Sequence, residues 1–269
     1  MLNRVFTNQL QLGLAQALSA AVVAYLVVLL ARRRKVHIEG EAAVAFVRGL
    51  VQIIAVGSVL VIMLRAPRWT GMFLLAAMIA AAGATSAKRA KGVPGSFQVS
   101  TYSIACGAGS VIAIMTWLGV IDTAITALIP IGSMLIANAM NTNSLALNRF
   151  RADVLAHVGE IETALGLGAD PRQSVSPYVQ ASFEASLIPA IDSLRSLGIV
   201  WIPGLMAGML LSGSRPVYAA IYQFVVLAMI FAASGLTSLV GTLLIRMHAF
   251  TPAEQLLLRP GATSSGTAG

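Results

Sequence analysis

Long uncharged apolar runs constrain this chain more than any other feature of its sequence. The first run extends from Leu10 to Ala31 without a charged residue. A helix rises about 1.5 Å per residue, so about 20 apolar residues cross a hydrocarbon core of roughly 30 Å. Every backbone donor and acceptor in that core must be satisfied within the segment, and barrel strands are shorter and alternate. The run therefore predicts a transmembrane helix.

Further runs of the same kind follow along the chain. Only 10% of the residues are charged and 57% are hydrophobic, whereas about a quarter of the residues in a soluble domain are charged. The sequence therefore predicts an all-α, polytopic membrane protein in a lipid bilayer. We expect about seven transmembrane helices, at Leu10–Ala31, Ala43–Leu64, Gly71–Ala87, Thr101–Val120, Thr123–Met140, Leu187–Leu211 and Val217–Ile245.

The first run could also belong to a removable signal peptide. Small residues at Ala17–Ala20 resemble a cleavage site, but the apolar character continues to Leu30. The run then meets four consecutive basic residues, Arg32–Lys35, which is typical of a stop-transfer sequence. We therefore interpret it as a membrane span.

Basic residues predict the orientation of the chain. The formal net charge of +8 would suggest nucleic-acid binding in a soluble protein, but here the basic residues gather on one predicted side of the membrane. This distribution predicts an outside N-terminus and a cytoplasmic C-terminus in the cell (inner) membrane, without a nucleic-acid partner. The residues that mark the inner side include Arg32–Lys35, Lys88, Arg89, Lys91, Arg149 and Arg151.

A polar loop at 141–186 interrupts the predicted transmembrane domain, which covers residues 1–250. Apolar residues at spacings of three and four predict an amphipathic helix over Ser144–Leu167, which Gly166 and Gly168 end. Asp170 is a candidate N-cap, and a second helix is expected from Arg172 into Phe183 and beyond. Residues 251–269 form a predicted cytoplasmic tail, which we expect to be disordered because it ends in Gly, Ser, Thr and Ala.

The segment Glu162–Ala169 resembles the EAA loop of ABC-transporter permeases. In that motif a Glu is followed by small residues and, six positions later, by a Gly; here Thr163 replaces one Ala. The resemblance implies a coupling helix that docks on a nucleotide-binding subunit. An ordinary helix C-terminus would have a similar sequence. The coupling residues implied are Glu162, Ala164, Gly168 and Ala169.

A wider resemblance extends over most of the chain from the second predicted span. The sequence is similar to FetB-type iron-export permeases, a family that includes plant aluminium-tolerance permeases. It departs from the family at Arg195, at Met209 where a Gln is usual and at Ile221 where an Arg is usual. The matching stretches are Arg48–Gln52, Asn138–Asn141, Ser144–Arg149, Leu187–Ser193, Pro203–Gly204 and Tyr222–Gln223.

These resemblances imply a permease subunit without its own enzyme activity. The chain contains no glycine-rich phosphate loop ending in Lys and Ser or Thr, so ATP would be bound by a separate ATPase subunit, and no cofactor is expected in this chain. A half-size permease implies a homodimer around one pathway. By resemblance, the cargo is iron or another metal-related substrate that is moved outward.

Polar side chains within the predicted spans are candidates for the pathway, because they are costly in hydrocarbon. Each has an ordinary alternative: Arg48 could extend to the membrane edge, Asp192 and Arg195 could neutralise one another, and the amides could join helices. Pro189, Pro203 and Gly204 are candidate hinges or a simple kink. The candidate pathway residues are Arg48, Gln52, Asn138, Asn141, Asp192, Arg195 and Gln223.

The sequence leaves a metal site unknown. His37, His157 and His248 have no ligand-type spacing, and methionines at helical spacing usually serve packing. A secondary transporter or channel that works without ATP is the alternative function, although we find no clear internal repeat. A membrane enzyme or scaffold is a third, less supported alternative, because no catalytic constellation occurs in the sequence.

Overall fold

A computed structural model of the protein describes residues 9–32, 39–63, 69–90, 92–251 and 253–258. Over these residues every regular element is helical, which confirms the all-α prediction. The helices are α1 (Gln9–Arg32), α2 (Glu39–Met63), α3 (Trp69–Arg89), α4 (Ser96–Ile104), a π-helical turn (Ala105–Gly109), α5 (Ser110–Trp117), α6 (Ile125–Ala156), α7 (Val158–Gly166), α8 (Pro171–Ser174), α9 (Ser176–Ser196), α10 (Gly204–Leu211) and α11 (Pro216–His248).

Five segments of the described chain are long and apolar enough to cross a membrane. They correspond to the first, third, fourth, fifth and seventh predicted spans. The second predicted span corresponds to α2, which contains a shorter apolar stretch at Ala42–Ser58. The five segments are Gln11–Leu30, Trp69–Arg89, Ser96–Trp117, Ile125–Ala156 and Pro216–His248.

The chain divides into two compact units, residues 1–66 and 67–269. In the first unit, α1 and α2 pack against each other. Many of their apolar side chains are exposed, including Leu18, Val23 and Val47. Such surfaces suit contact with lipid, where apolar side chains need no burial in protein.

The second unit is a bundle around a membrane-type core. Helix α11 packs against α6, α9 and the π-helical turn, and α3 packs against α4 and α6. The core is aliphatic: Leu135 and Ala139 of α6 and Val226 and Ala233 of α11 are almost fully buried. This cluster packs α6 and α11, which carry Asn138, Asn141 and Gln223.

Two glycines bring helices of this bundle unusually close together. A Cβ at Gly83 of α3 would lie 2.9 Å from the Thr101 Cα of α4. A Cβ at Gly107 in the π-helical turn would lie 2.6 Å from the backbone nitrogen of Thr237 in α11. Small residues permit this backbone approach, which strengthens packing where the hydrophobic effect between helices is absent.

The sixth predicted span, Leu187–Leu211, is not one continuous helix. Helix α9 begins earlier and ends at Ser196, and α10 begins at Gly204. Gly198 adopts a left-handed φ of +74° in the break, and its N–H donates to the Trp201 carbonyl at 3.1 Å. Turn hydrogen bonds thus replace helical ones where the chain changes direction, as backbone groups in a membrane require.

The boundary between the fifth predicted span and the amphipathic loop helix was wrong. Helix α6 continues through Met140 to Ala156, so the span and most of the loop helix form one helix of 32 residues. Phe150 and Val154 are fully buried there. Burial of this later stripe against other segments explains why the helix does not end at the first polar residues.

A second apolar cluster lies at the end of the bundle that carries residues 157–175, which we term the loop end. It contains Phe150 of α6, Ile161 of α7, Val175 between α8 and α9, and Ile245 of α11. Leu256 and Leu258 are also buried in it, so residues 253–258 are packed rather than disordered as predicted for 251–269. These two leucines supply the apolar burial that orders the segment. Residues 259–269 lie outside the described residues.

Candidate functional site

Helix α7 carries the predicted coupling residues and is attached firmly to the loop end. Its inward face places Ile161, 1% exposed, in the second apolar cluster, with Val158 and Leu165 packed beside it. The chain changes direction at His157, whose φ and ψ are −120° and 25°. Its Nδ1 lies 2.8 Å from the Asp153 carbonyl oxygen. The short helix is therefore held by its own apolar stripe.

Glycine at position 168 has a specific role in ending α7. Gly168 has a φ of +90°, and its N–H donates to the Leu165 carbonyl at 3.0 Å. The N–H of Ala169 donates to the Ala164 carbonyl, also at 3.0 Å. This pair of bonds is a Schellman motif, in which glycine supplies the left-handed residue. The spacing of Ala164, Gly168 and Ala169 therefore specifies a defined helix end.

The next turn is capped as the sequence predicts. The Asp170 carboxylate accepts a hydrogen bond of 2.6 Å from the Arg172 N–H, and Pro171 occupies the first position of α8. Helix α8 ends at Ser174, and α9 starts two residues after it, at Ser176. Two consecutive capping motifs thus fix the path of the chain between α7 and α9.

The outward side of this segment is open to solvent. Glu162, Thr163, Gly166, Gly168 and Ala169 are exposed, whereas Ala164 is half-buried. An added Cβ at either glycine would meet nothing within 4 Å. We term the exposed residues 162, 163 and 166–169 the α7 surface; it also includes Leu167, whose side chain is 85% exposed.

A groove of about 740 Å³ adjoins the α7 surface. Basic side chains line it from two directions, Arg172 from α8 and Arg246 from α11. The acids Asp170 and Glu254 lie on the same walls. The groove thus combines both signs of charge beside the turn between α7 and α8.

An aromatic contact joins α7 to the first turn of α9. The His157 and Tyr178 rings stack with centroids 5.0 Å apart. The Tyr178 hydroxyl donates to the Glu160 carboxylate at 3.5 Å. Burial, followed by the negative charge of Glu160, raises the pKa of Tyr178. The phenol therefore remains a donor at neutral pH and links the two helices.

The predicted intramembrane polar residues do not form one cluster. On α6, Asn138 donates to the Met134 carbonyl at 2.8 Å, and Asn141 accepts 2.9 Å from Arg89 of α3. The Asn138 bond lies within α6, whereas the Asn141 bond joins α6 to α3, as polar side chains do between membrane helices. Gln223 of α11 is 1% exposed, and its Oε1 has no hydrogen-bond partner among the described residues.

Charged candidates lie on exposed helix faces. In the first unit, Arg48 and Gln52 share one exposed face of α2. In the second unit, Asp192 and Arg195 of α9 have their nearest charged atoms 3.9 Å apart, with side chains 63% and 78% exposed. Their mutual neutralisation, which the sequence suggested, leaves both groups open to other partners.

The candidate hinges differ in their local geometry. Pro189 lies inside α9, which continues through it to Ser196. Pro203 is the N-cap of α10 and Gly204 is its first residue, so both lie at the edge of the break. Helix α10 begins only after Gly198 and the turn that follows it.

Sequence reasoning missed Asn143, a buried polar residue that joins three helices. Asn143 is fully buried, and its Nδ2 donates to Ser86 of α3 and Ser100 of α4, both at 2.9 Å. The Ser144 hydroxyl also donates to Ser86, at 3.1 Å. Its place between two matching stretches of sequence, Asn138–Asn141 and Ser144–Arg149, was the available signal. Only the packing of α3, α4 and α6 distinguishes it from its neighbours.

Histidines and acids are dispersed within the described part of the chain. No three His, Cys, Asp or Glu side chains there come together as a group that could hold a metal ion. His157 and His248 each lie near a carbonyl oxygen one turn earlier in their own helices. His37 lies outside the described residues.

The whole arrangement falls within a recognised family. Residues 14–250 match the family that is described as "Uncharacterised protein family (UPF0014)". The chain belongs to the UPF0014 family. The α7 surface and every intramembrane polar candidate lie inside the matched range.

Three relatives of this UPF0014 chain cover nearly its whole length. "UPF0014 membrane protein STAR2" of Oryza sativa subsp. japonica is 31% identical over 93% of this chain and 88% of its own. "Protein ALUMINUM SENSITIVE 3" of Arabidopsis thaliana is 32% identical over 91% of this chain and 90% of its own. "Probable iron export permease protein FetB" of Escherichia coli (strain K12) is 30% identical over 91% of this chain and 94% of its own. No solved structure matches the chain significantly.

Proposed function

We propose that this UPF0014 chain is the membrane-spanning permease subunit of an ATP-driven transporter. A separate ATPase subunit docks on the α7 surface and supplies the hydrolysis. One observation carries the proposal: α7 buries Ile161 in the bundle while Glu162, Thr163 and residues 166–169 are exposed. A coupling helix must pack firmly on its own bundle on one side and be exposed to the partner subunit on the other.

The packing of α7 on the bundle supports transmission of force into it. The apolar cluster that receives Ile161 also contains Phe150 and Val154 of α6. Helix α6 extends without interruption from there back to Ile125, and its Leu128 and Leu135 lie in the aliphatic core of the bundle. A push on α7 is therefore delivered to a 32-residue helix, because packed interiors transmit displacement instead of absorbing it.

The complete transporter comprises two copies of this chain and two ATPase subunits, which bind the ATP. The loop end faces the cytoplasm and the N-terminus lies outside, in the cell inner membrane. The clustering of basic residues at Arg32–Lys35 and near Lys88 and Arg149 supports this orientation. The chain itself acts as a transport subunit and not as an enzyme.

The cargo is iron or another metal-related substrate, and it moves outward. The Escherichia coli relative is named a probable iron export permease, and the Arabidopsis thaliana relative is named for aluminium sensitivity. Both cover about nine-tenths of this chain, so the resemblance includes the bundle and the loop end. Polar side chains on separate helices would then contact the cargo in passing.

Affinity purification tests the docking step directly. The tagged chain is co-expressed with the products of its neighbouring genes and purified in mild detergent. The ATPase activity that is retained with it is then measured. We expect an ATPase to co-purify with the native chain and with Gln173→Ala, an exposed change in α8 outside the α7 surface. Glu162→Lys and Gly168→Ala should each reduce retention about tenfold or more, as loss of an interface hot spot does.

Transport in proteoliposomes separates the two functional alternatives. With the ATPase present, iron efflux should require ATP and should fall in parallel with retention of the ATPase in the same variants. Efflux that persists without ATP, together with no retained ATPase, would replace this proposal with an ATP-independent transporter or channel.

A further inference from the structure

One face of α9 carries charge yet has no cover in the second unit. The opposite face packs on α6 and α11. The open face carries Gln180, Glu184, Ile188, Asp192 and Arg195, all exposed. Spacings of four, four, four and three place these residues in a single stripe along the helix. We term it the α9 stripe.

Contacts along α9 show that the stripe enters the membrane level of the bundle. The first turn of α9 packs with Ile245 near the end of α11, whereas Leu194 packs with the cluster that contains Val226. Helix α9 therefore runs antiparallel to α11, which is a candidate membrane span. The Ser186 and Ser238 hydroxyls, 2.6 Å apart, join the two helices. Asp192 lies about 9 Å farther along from Ser186 toward the membrane core.

Lipid cannot cover this stripe at low cost. Charged side chains in the hydrocarbon region are expensive and normally face protein or water. The Asp192 and Arg195 side chains are 63% and 78% exposed, so their 3.9 Å contact does not shield them. Helix α9 is also absent from the candidate spans of the described chain, which reflects its polar composition. The stripe therefore faces water or polar protein, and its two charges of opposite sign suit a protein surface with the same pair of charges.

We propose that the partner is the α9 stripe of a second copy of this chain, with Asp192 of each copy paired to Arg195 of the other. The inference rests on the proposed function, which requires two copies, and it identifies the surface through which they meet. Two-fold symmetry makes an interface self-complementary: residue 192 meets residue 195, and residue 195 meets residue 192. The stripe provides one charge of each sign for this exchange.

The dimensions of the stripe fit the exchange. In two parallel copies, Asp192 and Arg195 differ by three residues, or about 4.5 Å along the axis, which the long arginine side chain can span. A groove of about 640 Å³ follows this face, with Ile188 between the charged positions. The groove has room for side chains from an opposing helix. Glu184 of each copy would then lie near the two-fold axis, about two turns toward the loop end.

A charge exchange between two tagged copies tests the pairing. Asp192→Arg is produced with one tag and Arg195→Asp with another, and both are expressed together. Copies of the first kind carry two arginines in the stripe and copies of the second carry two aspartates. We expect mixed pairs to exceed pairs of identical copies by about tenfold or more over the statistical ratio, because only mixed pairs restore both contacts. Pairing within one chain predicts no such preference.

A second ion pair in the same bundle provides a matched control. Arg149 and Asp153 of α6 are 3.0 Å apart, with spacing i and i+4 at the loop end. The equivalent exchange, Arg149→Asp with Asp153→Arg, should give the statistical mixture. A statistical mixture for the α9 exchange in a chain that is dimeric by native mass spectrometry would overturn this inference and leave the permease proposal intact.

Cysteine cross-linking measures the same interface without changing a charge. Cys106 is replaced by Ser, and Ile188→Cys is compared with Ile221→Cys; the native side chains are similarly exposed, at 54% and 59%. Mild oxidation in membranes should join two copies through residue 188 and not through residue 221 of α11. A dimeric chain without the residue-188 bond, or with a bond to a different segment, would contradict the α9 pairing. Failure to retain the ATPase would affect the proposed function only.

Discussion

The Asn143 side chain of α6 donates a hydrogen bond of 2.9 Å to the Ser86 hydroxyl of α3, 57 positions earlier in the chain. The same amide group donates to Ser100 of α4. All three residues are fully buried. A single side chain therefore joins three helices in a site that is closed to water.

Removing this amide should lower stability while the helices remain intact. Asn143→Ala leaves the hydroxyls of Ser86 and Ser100 without their amide donor in a buried site, which should cost about 1–3 kcal/mol. Asn148→Ala, on an exposed position of the same helix, is the control. Thermal unfolding in detergent, followed by circular dichroism, measures both. Equal melting temperatures would show that the junction contributes nothing.

Close approach at Gly107 should tolerate no side chain. A Cβ there would lie 2.6 Å from the Thr237 backbone nitrogen, and backbone cannot move aside as a flexible side chain does. Overpacking of this kind costs about 1–3 kcal/mol. Gly109→Ala in the same π-helical turn meets only Ile79 at 3.8 Å and should behave as the native chain does. The yield of folded protein in size-exclusion chromatography distinguishes the two variants.

The end of α7 should depend on left-handed backbone at residue 168. Gly168→Ala should destabilise the local turn by about 1–2 kcal/mol, the cost of a left-handed alanine, and Gly168→Asn should cost less. Gly166→Ala has open space and no positive φ, so it should preserve or strengthen the helix. Hydrogen exchange of the 158–169 amides measures this order. Faster exchange in Gly166→Ala than in Gly168→Ala would contradict it.

The segment after α11 should contribute to stability through two alternate leucines. Leu258→Ala removes a side chain that is 3% exposed and should cost about 2–5 kcal/mol. Leu257→Ala removes a neighbour that is 41% exposed and should cost little. Leu256→Ala should resemble Leu258→Ala, since it is equally buried in the same cluster. Chemical unfolding and limited proteolysis test the difference, and equal sensitivity of all three variants would argue against packing of this segment.

Hydropathy and capping chemistry explain which features were predictable. The run at Leu10–Ala31 predicts a membrane helix by length alone, and Gly168 and Asp170 indicate the turns around α8 because their chemistry acts over a few residues. The continuation of α6 through Met140 was not predictable in this way. It depends on Phe150 and Val154 meeting α7 and α11, and such contacts between distant segments leave no local signal.

The candidate site divides along the same line. Its exposed residues on α7 were identified from a local pattern, whereas Asn143 gains its importance only from Ser86 and Ser100, which lie 57 and 43 positions away. Asp192 and Arg195 were recognised as charges in a membrane context. Their spacing from Glu184 places all three on one face of a helix, but the exposure of that face follows from how α9 packs.

By itself, the sequence determined that this chain is a helical membrane protein with a polar loop. The reason is that the cost of burying charges and unpaired backbone groups in hydrocarbon acts on each segment separately. Only the tertiary structure decided which side of each helix is covered, where α9 breaks before α10, and that Leu256 and Leu258 close the loop end. Those features depend on complementary shapes brought together from distant parts of the chain, where close packing of Gly107 on Thr237 or of Ile161 on Phe150 determines the arrangement.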